Sequence, residues 1–236
     1  MVKMPSLKEL LDAGVHIGHK TARWHPKMKP FIFMAKNSVH IINLEKTEEK
    51  LKEAVDFLAK ASSEGKEIVF VGTKKQSSAI IEKAAKSANT PYVNHRWVGG
   101  VLTNYGVVSI AIANFKKEKE ELESNAENLS KKELAKLRIK VEKGEKIFGG
   151  LTNLTKKPEV LILIGSHDEK NAICEARIGK IDSIGIVDTN SDPNDVTLPI
   201  PGNDDATKSI ELFANLFAEV IKANKSLAKT KENLPN

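Results

Sequence analysis

The stretch from Gly14 to Pro30 (GVHIGHKTARWHPKMKP) holds the densest chemistry in the chain. His16, His19 and His25 lie among Lys20, Arg23, Trp24, Lys27 and Lys29. Lysine and arginine neutralise phosphates, and an indole or imidazole can stack on an unpaired base, so this composition suits an RNA surface. The glycines allow close backbone approach, and the prolines stiffen the segment. Zinc is the sharper rival, with the histidines as ligands. No carboxylate within the run completes a tetrahedral set, and the only cysteine, Cys174, is distant. The segment is therefore expected to dock RNA or protein and to hold no metal.

Three other constellations carry weaker signals. Gly72-Thr73-Lys74-Lys75-Gln76 follows an apolar run and opens a helical pattern, a position where backbone amides and the helix dipole favour an anion. A nucleotide-binding phosphate loop needs a second glycine and a Lys-Ser/Thr pair, and both are missing. Phosphate contact by Lys74 and Lys75 competes with an ordinary solvated turn. Asn94 to Asn104 (NHRWVGGVLTN) sets Arg96 beside Trp97 ahead of paired glycines. It offers a cation with a stacking platform, unless Trp97 only anchors the turn by packing. Asp188 to Pro193 and Pro199 to Asp205 are acidic loops. Magnesium or carboxylate catalysis is conceivable there, but no nucleophile–base pair stands out, and turns with a helix cap at Asn203 or Asp204 explain them better.

The elements that must position these residues alternate. Nearly all-apolar runs at Glu67–Gly72, Glu159–Gly165 and Ile184–Asp188, with a short strand at Pro91–Val93, read as buried strands. Amphipathic helices are expected over Lys46–Ser63, Ser77–Ala88, Glu169–Ile178 and Asp204–Asn224. This alternation predicts an α/β fold, a doubly wound parallel sheet with helices on both faces. Ser6 and Glu9 have capping-box spacing for a first helix ending near Gly14. Val15–Pro30 reads as irregular, followed by short strands at Phe31–Phe33 and Val39–Ile42 around a Lys36-Asn37 turn. Between Val107 and Ile147 no strand signal occurs, the Lys/Glu density is high, and Leu134, Leu137 and Val141 form a narrow seam. That pattern predicts a protruding antiparallel helical hairpin, broken at Ser124–Asn128 and restarted by a capping box at Ser130 and Glu133. The expected organisation is 1–45 as an N-terminal helix, basic loop and short strands. The α/β domain comprises 46–106 and 148–224, the inserted hairpin 107–147, and a disordered tail 225–236.

Composition bounds the function. With 40% hydrophobic and 29% charged residues the chain reads as an ordinary folded protein, and its net charge of +6 favours a polyanionic partner. A lone cysteine fits a reducing cytoplasm. Met1–Leu10 lacks the apolar core of a signal peptide, and no apolar run reaches the ~20 residues of a membrane span.

Taken in order, the blocks resemble the family of the second protein of the small ribosomal subunit, in its bacterial or organellar form. The blocks are Ala13–His19 with Arg23-Trp24 and Pro26–Pro30; Phe70–Gln76; Asn94, Arg96-Trp97 and Gly99–Asn104; and Ile186–Asn190, Asp192-Pro193 and Ile200–Ala206. The resemblance implies a flavodoxin-like sheet with a projecting coiled-coil hairpin and a structural role without catalysis or cofactor. It also implies binding of small-subunit ribosomal RNA and neighbouring ribosomal proteins, including the large mRNA-binding protein, with no membrane association. The residues expected to contact RNA are His16, His19, Lys20, Arg23, Trp24, Lys27, Lys29, Lys74, Lys75, Gln76, Arg96, Trp97 and Asn104. One departure is Gly165–Lys170 (GSHDEK), where the family carries a Val-Asp-Pro-like element and a basic residue.

Overall fold

The computed structural model describes residues 2–124 and 130–232. The first helix, α1 (Leu7–Asp12), is held by a complete capping box: the Ser6 hydroxyl accepts from the Glu9 amide, and the Glu9 carboxylate accepts from the Ser6 amide at 2.7 Å. Three strands follow, β1 (Ile17–Lys20), β2 (Ile32–Lys36) and β3 (Val39–Ile42), forming an antiparallel sheet in the order β1-β3-β2. The β2–β3 hairpin turns on Asn37 and Ser38, with φ of 51° and 60°. A pair of left-handed residues matches the right-handed twist of the flanking strands. Strand β1 corrects the expectation of an irregular Val15–Pro30. Ile17–Lys20 is too short to show its own periodicity, and its partner β3 makes it a strand by pairing Ile17 with Ile41 and Lys20 with Val39.

The α/β domain begins with α2 (Leu44–Ser63), capped by the Asn43 side chain. It continues through β4 (Ile68–Val71), α3 (Lys75–Ser87) and β5 (Tyr92–Val93). The helices α4 (Tyr105–Ser124) and α5 (Lys131–Phe148) follow, then β6 (Val160–Ile164), α6 (Lys170–Gly179), β7 (Asp182–Val187), β8 (Leu198–Pro201) and α7 (Thr207–Glu232). The five strands lie in the order β5-β4-β6-β7-β8, all parallel. Ranked within the sheet, that is the flavodoxin-like order 2-1-3-4-5. Strand β8, unmarked in the sequence, carries Pro199 and Pro201 and sits at the sheet edge, where missing amide donors do least harm. The last helix continues past the expected boundary at Asn224 to Glu232. Residues 226–232 include no glycine or proline to stop it, and 233–236 lie outside the described residues.

Period-2 alternation divides the sheet's side chains between two cores. Ile68, Phe70, Ile162, Ile164, Ile184 and Ile186 face the layer of α2, α3 and α7, packing with Leu51, Leu58, Phe213 and Phe217. Val69, Val71, Leu161, Leu163 and Val187 face α6, the base of α4 and the loop containing Trp97, Val101 and Leu102. Both faces are covered, which is why the strands read as continuous apolar runs. The hairpin leaves this second face. At its base Gly144 makes room for Phe115, whose ring any β-carbon at that position would overlap. Further out, ion pairs Lys119–Glu145 (3.0 Å) and Lys140–Glu118 (2.6 Å) link α4 and α5. The capping box of Ser130 and Glu133 restarts the chain as expected; the expected break at Ser124–Asn128 falls, after Ser124, outside the described residues.

Candidate RNA interface

In a parallel sheet every strand ends on the same side, so the loops after β4, β5, β6, β7 and β8 share one edge. All of the constellations found in the sequence meet there. The acidic loops seat the N-terminal segment. The Thr189 hydroxyl accepts from the His19 amide (2.8 Å) and the Thr189 carbonyl from the His25 amide (2.7 Å). The Asn203 amide donates to the Val15 carbonyl, and its side chain donates to the Gly14 carbonyl. Gly18 is required by its surroundings: a β-carbon there would lie 2.6 Å from Thr189 Cγ2.

His19 completes this seat. Its Nδ1 lies 3.1 Å from Asp188 and its Nε2 3.3 Å from Asp205. The hydrogen bond to Asp188 raises its pKa, outweighing burial, and the charges of Asp188, Asp205 and Asp204 add to the rise. Ligand atoms of His19, Asp188 and Asp205 fall within 4.8 Å of one another, close enough for a divalent cation, whereas His16 and His25 do not join them. The carboxylates absent from the local sequence thus come from loops near the other end of the chain. They take opposite sides of the imidazole, so in this geometry the ring bridges two carboxylates. His25 instead caps a short 3-10 turn by accepting from the Lys27 amide.

The crevice between β4 and β6 is the switch point of the sheet, where doubly wound proteins bind ligands. Here the chain fills it with its own charges. Lys74 Nζ lies 2.8 Å from Asp204, 2.8 Å from Asp205 and 3.2 Å from Asp168. Burial opposes the charge on Lys74, but Asp204 and Asp205 prevail and hold it protonated. Burial pushes Asp204 up to about 6 against the pull of Lys74, with Asp188 and Asp205 adding repulsion. Glu169, buried and raised for that reason, accepts from the Thr73 amide at 2.6 Å. Lys74 is therefore not the free phosphate ligand expected at this helix start. Lys75 and Gln76, the next residues, are exposed.

Trp97 also departs from expectation. It is 7% exposed, packs in the second core and donates its Nε1 to Glu175 at 3.0 Å, so it presents no stacking face. Arg96 and Asn104, flanking it, are exposed. Trp24 is the opposite case: 38% exposed, with its ring 5.3 Å from that of His40. Lys27 is exposed but paired with Asp192 at 2.6 Å. Among the described residues, Lys20, Arg23, Lys29, Lys75 and Arg96 are exposed cations outside every ion pair. His16 is half-buried, with Nδ1 unpaired.

Sequence reasoning missed Thr189 and Glu175, which organise the edge. Thr189 lies inside one of the acidic loops, so its neighbourhood was visible and its role was not. Nothing marked Glu175, an unexceptional acid in an amphipathic helix.

A sheet of flavodoxin order whose switch-point crevice is occupied by internal ion pairs, with exposed cations around it, defines the class as an α/β protein with a basic carboxyl edge. A family model described as Ribosomal protein S2 matches residues 10–224. The small ribosomal subunit protein uS2 of Wolinella succinogenes is 44% identical over 230 residues, covering 97% of this chain and 85% of that protein. Its counterpart in Dictyoglomus thermophilum is 45% identical over 230 residues, covering 97% and 93%. That of Helicobacter hepaticus is 44% identical over 232 residues, covering 98% and 88%. The chain belongs to the ribosomal protein S2 family, non-enzymatic structural constituents of the small ribosomal subunit.

Proposed function

We propose that the chain binds small-subunit ribosomal RNA through the carboxyl edge of its parallel sheet and the N-terminal segment seated on that edge. The observation that carries this is a set of exposed cations outside any ion pair: Lys75 and Arg96 follow β4 and β5 on the carboxyl edge, and Lys20, Arg23 and Lys29 lie on the N-terminal segment bonded to that edge. Exposed Trp24 supplies a stacking face, and Gln76 and Asn104 supply polar groups. His16, His19 and Lys27 lie in the same segment, with His19 and Lys27 serving mainly to hold it in place. A ribosomal constituent acts where translation occurs, in the cytoplasm. Among the described residues no helix is long and apolar enough to cross a membrane.

The finer proposal is that neighbouring ribosomal proteins, including the large mRNA-binding protein, dock beside this edge. A cleft of about 480 Å³ lined by Leu7, Leu11, Phe33, Ile41 and Leu44 supports a protein partner. Leu11 and Phe33 are 50% and 69% exposed there, apolar side chains that a protein partner would cover.

The test is affinity for small-subunit RNA across a salt series. Removing one cation that neutralises a phosphate lowers the slope of log K against log salt by about 0.7–0.9. Replacing Arg23, Lys29 and Lys75 together by alanine is expected to lower it by roughly 2–3. An unchanged slope moves the RNA-binding surface elsewhere.

A further inference from the structure

Glu175 stands in α6 and is not among the residues assigned to RNA, yet its carboxylate gathers five hydrogen bonds from a single loop. Its Oε1 accepts from Trp97 Nε1 at 3.0 Å and from the Gly100 amide at 2.8 Å. Its Oε2 accepts from the Leu102 amide at 3.1 Å, and from the Thr103 amide and hydroxyl at 3.3 and 3.2 Å. An ionised carboxylate is an acceptor at both oxygens, which is why it can face donors on both sides. Burial pushes its carboxyl up, and the donors from Trp97, Gly100, Leu102 and Thr103 outweigh that, holding it below the usual value.

The bonded residues span the middle of the loop, and the two exposed residues assigned to RNA stand at its ends. Arg96 precedes Trp97 directly, and Asn104 follows Thr103 directly. Gly100 has φ of +97°, a left-handed turn that folds the chain back so that both halves reach the same carboxylate. The Asn104 amide donates to the Gly100 carbonyl at 2.8 Å, and the Asn104 carbonyl accepts from Val107, so the loop passes straight into α4. Without the carboxylate, the amides of Gly100, Leu102 and Thr103 lose the partner they share, and the loop loses what fixes its course.

We propose that Glu175 is the positioning residue of this RNA-contacting loop: its carboxylate sets the path from Trp97 to Thr103 and so places Arg96 and Asn104 against the nucleic acid. The inference rests on the proposal that Arg96 touches RNA. Glutamine is the informative replacement. It keeps the shape but carries an amide nitrogen on one side, which must face donors and repel them.

The experiment measures small-subunit RNA affinity of the full chain across a salt series for wild type, Arg96→Ala, Glu175→Gln and the double variant, with the indole N–H signal of Trp97 as a local readout. Glu175→Gln is expected to weaken binding about tenfold, the size of one charge-assisted hydrogen bond, and to lower the salt slope by about 0.7–0.9, as Arg96→Ala does. The double variant is expected to lose no more than either single one, and the indole signal to move in Glu175→Gln alone as in the pair. Glu175→Asp keeps the charge but is too short to reach both halves of the loop, so it serves if the glutamine variant does not fold and is expected to show the same non-additivity. Additive losses, or a Glu175 effect with the slope unchanged, overturn the positioning role. If Arg96→Ala itself leaves affinity and slope intact, the underlying RNA reading of this loop fails, and the positioning role with it.

Discussion

Arg23-Trp24 and Arg96-Trp97 are the same dipeptide in two loops on one edge of the molecule, and the fold uses them differently. Trp24 stays 38% exposed against the His40 ring, in a segment anchored mostly through backbone bonds to Thr189 and Asn203. Trp97 is 7% exposed, surrounded by Val93, Val101 and Leu102, with its only polar atom answered by Glu175. A buried indole needs apolar neighbours and a partner for its N–H, and only the second loop has both. The identity of a tryptophan therefore says little about its role. What decides it is whether the adjoining residues are apolar and the chain returns past a helix that can answer the N–H. VGGVL follows Trp97, whereas HPKMK follows Trp24.

The largest effect expected from this contrast is on folding. Trp97→Ala leaves a cavity in the second core and removes one of the five donors to Glu175, and is expected to lower stability by about 3–5 kcal/mol in urea unfolding. Trp24→Ala is expected to change stability by less than ~1 kcal/mol and to act instead on RNA affinity, through the stacking it removes. Equal losses of stability in the two variants would erase the distinction.

Lys74 and Lys75 repeat the comparison with charge. Lys74 answers three carboxylates, one of them, Asp204, fully buried. Removing it in Lys74→Met leaves that carboxylate unpaired and is expected to lower stability by about 3 kcal/mol while leaving the salt slope of RNA binding unchanged. Lys75→Ala is expected to do the reverse, with stability within ~0.5 kcal/mol and the slope lower by about 0.7–0.9. A Lys74 variant that folds normally but loses salt dependence would show that its ammonium leaves the carboxylates for phosphate.

The contrast also explains what could be read from the chain. The parallel sheet was legible because its strands are buried on both faces, so EIVFVG and EVLILIG announce themselves without partners. The α4–α5 hairpin was legible through its capping box and its seam at Leu134, Leu137 and Val141. Strand β1 was not, because Ile17–Lys20 becomes a strand only beside β3. Nor was β8, whose prolines argue against a strand until its edge position is known. At the site, a basic character was visible, but which cations are free was not. Lys74 and Lys75 look alike in sequence, and only the approach of Asp204 and Asp205 separates them. Likewise His19 reads as a ligand or a stacking ring until Asp188 and Asp205 arrive at its two nitrogens.

That last meeting makes the smallest prediction and ties the two ends of the chain together. The groups facing His19 are Asp188 and Asp205, with Asp204 behind them and Lys74 sharing Asp205. Its folded pKa is raised above the ordinary 6.5, so the folded chain binds the proton more tightly than the unfolded one. The stabilisation it contributes is therefore complete below about 6.5 and is lost as pH rises through the raised folded value. Asp204, raised by burial to about 6, titrates at the acid edge of this range in both proteins, so the difference between their curves reports His19. His19→Gln is expected to remove about 1 kcal/mol at the acid end, a fall of roughly 2–4 °C in melting temperature. It is expected to remove progressively less as the medium becomes alkaline. Melting curves of both proteins from pH 6 to 9, with a chelator present to take metal ions out of the comparison, measure the difference. Two curves that run parallel across that range would mean that the imidazole is held by shape and by the Thr189 hydrogen bond, and that its charge does not latch the N-terminal segment to the sheet.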